Sequence, residues 1–152
     1  MALDIGTPRD VLTSHAQARG GFGPVLKHEP LSAPGSGLTY AVWVGDIDPL
    51  PPASGLASTS LRVTFNGRLY LPADTDPMDD VDVQLTNAAT DLMGLYTGDF
   101  TLGGSVRNID LLGAHGTTMR ARLGYLDIGS TTYRISTISI PTIHSNIWGQ
   151  VA

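Results

Sequence analysis

The stretch 59-TSLRVTFNGRLYLP-72 admits two folds, and the choice between them sets the rest of the sheet. Asn66-Gly67 is the dipeptide of a two-residue hairpin turn. In such a hairpin Phe65 would pair with Arg68 and share its face, throwing Leu69 and Leu71 to the other side. Yet Leu61, Val63, Phe65, Leu69 and Leu71 are all odd-numbered. A half-buried strand alternates with period two, so the unbroken odd phase predicts one long strand, bulged or bent at Gly67.

Upstream, 38-LTYAVWVGDI-47 is rich in β-branched and aromatic residues and reads as a strand. The first element, 6-GTPRDVLTSHAQARGG-21, predicts a short helix near 8–19. Thr7 can cap it, Pro8 suits its first position, Asp10 suits its first turn, and Gly20-Gly21 end it. Its buried side is expected to carry Val11, Leu12, His15 and Ala16. Residues 22–37, broken by three prolines, read as loop. The Pro-rich 45-GDIDPLPPASGLASTS-60 reads as a projecting loop.

Downstream, 105-SVRNIDLLG-113 and 117-TTMRARLGYLDI-128 read as strands, the second alternating Met119, Ala121, Leu123, Tyr125. A turn at 127–130 joins it to the strand 131–140 as an antiparallel hairpin. Pro141 cannot donate within a ladder, so 142-TIHSNIWGQVA-152 is expected at a sheet edge.

Between the two groups of strands lies 74-DTDPMDDVDVQLTNAATDLMGLYTGDF-100, opened by Asp74, Asp76, Asp79, Asp80 and Asp82. A calcium loop of the EF-hand type needs acids at positions 1, 3 and 5, glycine at 6 and glutamate at 12. Counted from Asp74, those last three positions hold Met78, Asp79 and Leu85. Acid–base hydrolysis needs one desolvated carboxyl and a partner across a cleft, whereas this run is Pro-punctuated and surface-like. As a helix start the run fits: Asp76 as N-cap, Pro77 at the first position, Asp79 at the third, and acids where the helix dipole favours them. Met78, Val81, Leu85, Ala88, Ala89, Leu92, Leu95 and Tyr96 then share a stripe ~120° wide. The expected helix is 77–97, ended by Gly98. Its outer face holds Asp80, Asn87, Thr90, Asp91 and Gly94 with Val83, and Val83, Asn87 and Gly94 are candidate points of approach for another subunit.

These elements predict a single α+β domain over 1–152, a small sandwich of a mainly antiparallel sheet packed on helices. The chain has no cysteine, which excludes disulfides, thiolate metal sites and a cysteine nucleophile. His15, His28, His115 and His144 lack metal-ligand spacing. The glycines of 94–110 lack a phosphate loop's Lys-Ser/Thr ending, and Ser14 and Ser105 lack a nucleophile-elbow context. No catalytic residue, cofactor or metal is therefore expected, and the chain does not read as an enzyme. The net charge of −5, with 9 scattered bases, argues against gripping nucleic acid but suits a protein that DNA must slide past. The acidic Met1–Ile5 start and the lack of a long apolar run argue against an export signal or a membrane span.

The segments 77-PMDDVDVQLTNAATDLMGLYTGDFTLGGSVRNIDLLG-113 and 117-TTMRARLGYLDIGSTTYRISTISIP-141, with Asn146-Ile147-Trp148, resemble the tail terminator proteins of long-tailed (siphovirus) bacteriophages. In particular they resemble those of phages infecting actinobacteria. The prompting phrases are GDFTLGGSVRNIDLLG, GYLDIGSTTYRI and NIW, with 48-DPLPP-52 after a tryptophan-bearing strand, and the resemblance spans about 38–150. It implies a virion structural protein of the tail–neck junction, assembled in the host cytoplasm. Such proteins form a hexameric ring on the last tail-tube ring, stop its polymerisation and present a surface to head-completion or stopper proteins, with DNA only passing through the lumen. The family has no catalytic residues to transfer.

A closed ring needs a heterologous interface. Candidates are the outer face of helix 77–97 (Val83, Asn87, Gly94) and an edge segment carrying Ile143, Ile147 and Trp148. Asp48, Pro49, Leu50, Pro51 and Pro52 are the candidate contact with a neighbouring ring. Two alternatives stay open. One is another neck component, a head-completion or stopper protein; the other is a small metal- or ligand-binding module using Asp74–Asp82.

Overall fold

The computed structural model describes residues 2–50 and 58–149. The elements are α1 (Gly6–Arg19), β1 (Val25–Leu26), β2 (Thr39–Pro49), β3 (Ser58–Pro72), α2 (Val81–Gly98), β4 (Asn108–Ile109), β5 (Arg120–Ile128) and β6 (Thr131–Gly149). They form an α+β fold in which one six-stranded sheet carries both helices on one face. The strand order is β1-β2-β3-β6-β4, with β5 also alongside β6. Only the β1–β2 pairing is parallel.

β3 runs unbroken through Asn66-Gly67, as its odd phase predicts. Leu61, Val63, Phe65, Leu69 and Leu71 all enter the core beneath the helices. No bulge falls at Gly67; the irregularities lie between Val44 and Asp46 and between Thr59 and Leu61. Gly67 is there for space, because a Cβ would overlap the Tyr40 hydroxyl, which lies against the strand.

Three strand expectations need correction. β6 continues from Thr131 through Pro141 to Gly149, paired with β3 along its length, so 142–148 is interior to the sheet rather than an edge. Pro141 is tolerated because its carbonyl, and hence its missing N–H, faces the gap on the opposite side from β3. There β5 has ended its pairing at Ser139 and β4 begins at Thr142, while Asp110 N–H takes the Pro141 carbonyl at 2.8 Å. Residues 105–113 form only the two-residue β4, since turns over 99–106 and 110–116 spend the neighbouring N–H groups locally. The loop expected at 45–60 is shorter, because β2 extends to Pro49 and β3 starts at Ser58. The hairpin stands: Ile128 pairs with Thr131 across Gly129-Ser130, with Gly129 at φ 62°.

α2 buries Val81, Leu85, Ala88, Ala89, Leu92 and Tyr96, while Leu95 is half-buried. Fully burying a leucine such as Leu85 or Leu92 contributes about 1.5–3 kcal/mol. Its start differs from expectation. Pro77 is extended (ψ 141°), the Asp76–Pro77 bond is cis, a 3-10 turn covers Met78–Asp80, and the α-helix begins at Val81. Pro77 is thus outside the helix, neither Asp76 nor Asp79 caps it, and Met78 is 68% exposed instead of in the stripe.

α1 also starts early, at Gly6. Thr7 is inside it, and the Asp4 carboxylate accepts the Thr7 N–H at 3.2 Å. Asp10 instead pairs with Lys27 at 2.9 Å. The two helices are tied to the sheet by a buried chain: Tyr40 and Tyr96 hydroxyls meet at 2.8 Å, and Tyr96 donates to Leu12 O at 3.0 Å. On the far face of the sheet a smaller cluster of Ala41, Tyr70, Tyr133 and Ile135 is partly covered by the segment that follows β1, and Tyr133 donates to Gly35 O at 3.2 Å.

Candidate subunit interface

The aspartate segment lies on the surface. Asp74, Asp76, Asp79, Asp80 and Asp82 are all exposed. Of the five side chains only Asp82 has a partner among the described residues: Arg134 donates to it at 2.8 Å, which holds its carboxyl below the usual range. Among the described residues no three His, Asp or Glu side chains converge as metal ligands. Because the Asp76 side chain bonds no N–H group, Asp76→Ala is expected to change stability by less than about 0.5 kcal/mol. A lost cap would cost ~0.5–2 kcal/mol; urea titration of the two proteins separates the outcomes.

The histidines stand apart. His15 meets Asp99 at 2.9 Å, and His28 and His115 are exposed. His144 is buried beside Thr142. Thr142 gives its one hydroxyl proton to Val63 O at 2.8 Å, so its oxygen accepts from His144 Nε2–H at 2.9 Å. Burial lowers the His144 pKa, against a smaller opposing pull from Asp4. The folded state therefore favours the neutral ring. Its contribution to stability is complete above the unfolded value near 6.5 and is lost as pH falls through the lower folded value. Wild type should lose more melting temperature than His144→Gln between pH 7.5 and 5; parallel losses would contradict this.

The residues expected at an interface fall into three groups. Val83, Asn87 and Gly94 lie exposed on the outer face of α2, and Trp148 is half-exposed near the end of β6. Ile143 and Ile147 are buried within the chain, because β6 is flanked on both sides at Ile143 and Ile147 joins the core under the helices. They are not available to a neighbour. Asp48 and Pro49 are exposed at the end of β2, but Leu50 is only 3% exposed and its N–H reaches Ser60 O at 2.8 Å, so it is not part of a projecting contact. Pro51 and Pro52 lie outside the described residues.

What the sequence reading missed is on the sheet face away from the helices. Register places Asp46 beside Thr64, Asp48 beside Arg62, Arg120 beside Ser139 and Arg122 beside Thr137, all on that face. A shallow polar depression of about 230 Å³ on that face is lined by Asp46, Asp48, Arg62, Asn66 and Arg120. Arg62 is not free, since its guanidinium pairs with Asp110 at 3.2 Å beneath the 110–118 loop. Asp46, Asp48, Arg120 and Arg122 are exposed and have no ion-pair partner among the described residues. The signal for the arginines was their even phase in 117–128, opposite to Met119 and Ala121; Asp48 lay in the segment read as loop, and Asp46 where that loop overlapped the strand 38–47.

No helix among the described residues is long and apolar enough to cross a membrane. No protein-family model matches the chain, and no curated protein sequence matches it significantly.

Proposed function

We propose that this chain is a tail terminator of a long-tailed bacteriophage: a virion structural protein that forms a ring on the end of the tail tube. The ring occupies the growing end, removes the surface on which the next tube ring would add, and offers a new one to the neck proteins of the head. The sequence resemblance over about 38–150 supports this reading. The structural observation that carries the reading is a sheet covered by helices on one face and, among the described residues, open at two lateral edges of opposite charge, β2 with Asp46 and Asp48 and β5 with Arg120 and Arg122. A subunit of a cyclic ring needs two different complementary patches, and these are two.

Locating the protein in purified assembly intermediates tests this. A terminator stays with headless tails, at the tube end that would join the head, and is absent from tailless heads. Retention on DNA-filled tailless heads would instead make it a stopper or head-completion protein, and labelling along the tube would exclude both.

A further inference from the structure

Resting on the ring reading, we propose that neighbouring copies join edge to edge: β2 of one copy pairs antiparallel with β5 of the next, Asp48 opposite Arg120 and Asp46 opposite Arg122. Both edges are open. β2 is bonded to β1 only at Tyr40 and Ala41, and β5 pairs with β6 alone, among the described residues. The strand sequence β2-β3-β6-β5 is antiparallel throughout, so β2 and β5 run in opposite directions. Copies placed head to tail in one orientation therefore keep the alternation at every junction, as a closed ring requires.

Register and hydrogen bonding agree on one alignment. Leu50 N–H points into the sheet, to Ser60 O, so by alternation the backbone groups of Asp48 and Asp46 also face β3 and those of Ile47 face outward. Met119 N–H is given to Leu111 O rather than to β6, so the groups of Ala121 face outward and those of Arg120 and Arg122 face β6. Setting Ile47 against Ala121 as a hydrogen-bonded pair places both acids directly across from both arginines, in the non-hydrogen-bonded positions where side chains come closest. A slip of one residue would send the charges to opposite faces. The same alignment covers Ile47, 50% exposed on the helix side, and brings Leu123, 42% exposed, beside it.

Pro49 has no N–H, and the Met119 N–H is already used, so the pairing stops there. The contact is short and its ion pairs are surface ones, each weak and sensitive to salt. Free copies then remain apart and associate when the tube end holds them side by side, where each contact is made between already positioned neighbours.

The cysteine-free chain makes the test clean. Within one chain, positions 48 and 120 are separated by β3 and β6, beyond disulfide reach, while across the proposed junction they lie within it. Tails assembled with a chain carrying both Asp48→Cys and Arg120→Cys, mildly oxidised, should give a ladder of linked multimers up to the ring, and each single-cysteine chain should give monomer. As a second readout, Asp46→Arg with Asp48→Arg should abolish incorporation into tails, and adding Arg120→Asp with Arg122→Asp should restore it. No ladder and no rescue from tails that still carry a ring by electron microscopy would overturn the edge pairing and leave the ring reading intact. Tails assembled with the wild-type chain that carry no ring of this protein at all would overturn both.

Discussion

Asp110→Ala is expected to lower stability by about 3–5 kcal/mol, the cost of removing one member of a buried ion pair. The Arg62 and Asp110 side chains are 9% and 5% exposed. Arg62 gives Nε at 3.3 Å and Nη2 at 3.2 Å to Asp110 Oδ2, and also donates to Thr117 O. Asp110 in turn accepts the Ala114 N–H at 2.8 Å and the His115 N–H at 3.0 Å. One carboxylate thus fastens the 110–118 loop, which leads into β5, onto β3. Without it the guanidinium loses its counter-charge and two N–H groups lose their acceptor. Replacing both charges, as in Arg62→Met with Asp110→Leu, should cost less than the single change.

The same pair has a pH signature. Burial pushes the Asp110 carboxyl up, but the His115 and Ala114 N–H groups together with Arg62 outweigh it, and the net folded value lies below the ordinary one. The ionised form is therefore bound more tightly in the folded state. That stability is present above the unfolded value near 3.9 and is lost as pH falls through the folded value. Denaturant titrations from pH 7 to 3 should show a loss in wild type that Asp110→Asn lacks; identical profiles would contradict it.

Gly67→Ala is the second large effect, about 2–4 kcal/mol, from overpacking of ~1–3 kcal/mol and a disturbed hydrogen bond of ~1 kcal/mol. The added Cβ would overlap the Tyr40 hydroxyl and stand 2.9 Å from Cζ and 3.1 Å from Cε1. Tyr40 has no room to yield: it is fully buried, it stacks on Phe22 with ring centroids 5.7 Å apart, and its hydroxyl is bonded to Tyr96. Shifting it breaks the chain that joins β2, α2 and α1. In a Tyr40→Phe background, which lacks the overlapping hydroxyl, Gly67→Ala should cost less by about 0.5–3 kcal/mol. Additive costs would mean that Tyr40 is not what requires glycine.

Gly67 also shows what was legible in the sequence. The odd phase of 59–72 gave β3 correctly, because a strand with one buried face must alternate whatever its neighbours are. The reason for the glycine was not legible, since Tyr40 meets it only through the pairing of β2 with β3. Likewise the stripe of α2 was readable from Val81 to Tyr96, whereas its start was not. Aspartates around a proline fit a capped first turn by composition, yet Pro77 is extended and the helix begins four residues later. Pro141 looked like a strand end and is not, because the vacancy it needs lies between two other strands. The candidate interface was harder still. Asp46 and Asp48 gain meaning only once β2 is known to extend to Pro49, leaving an edge that is open among the described residues and opposite in charge to β5.

Termination of the tail tube is tested most directly by electron microscopy of tails assembled in infected cells whose phage lacks this gene. Tubes of abnormal and variable length without heads are the result that a ring blocking the growing end predicts. Tails of normal length joined to heads would contradict it.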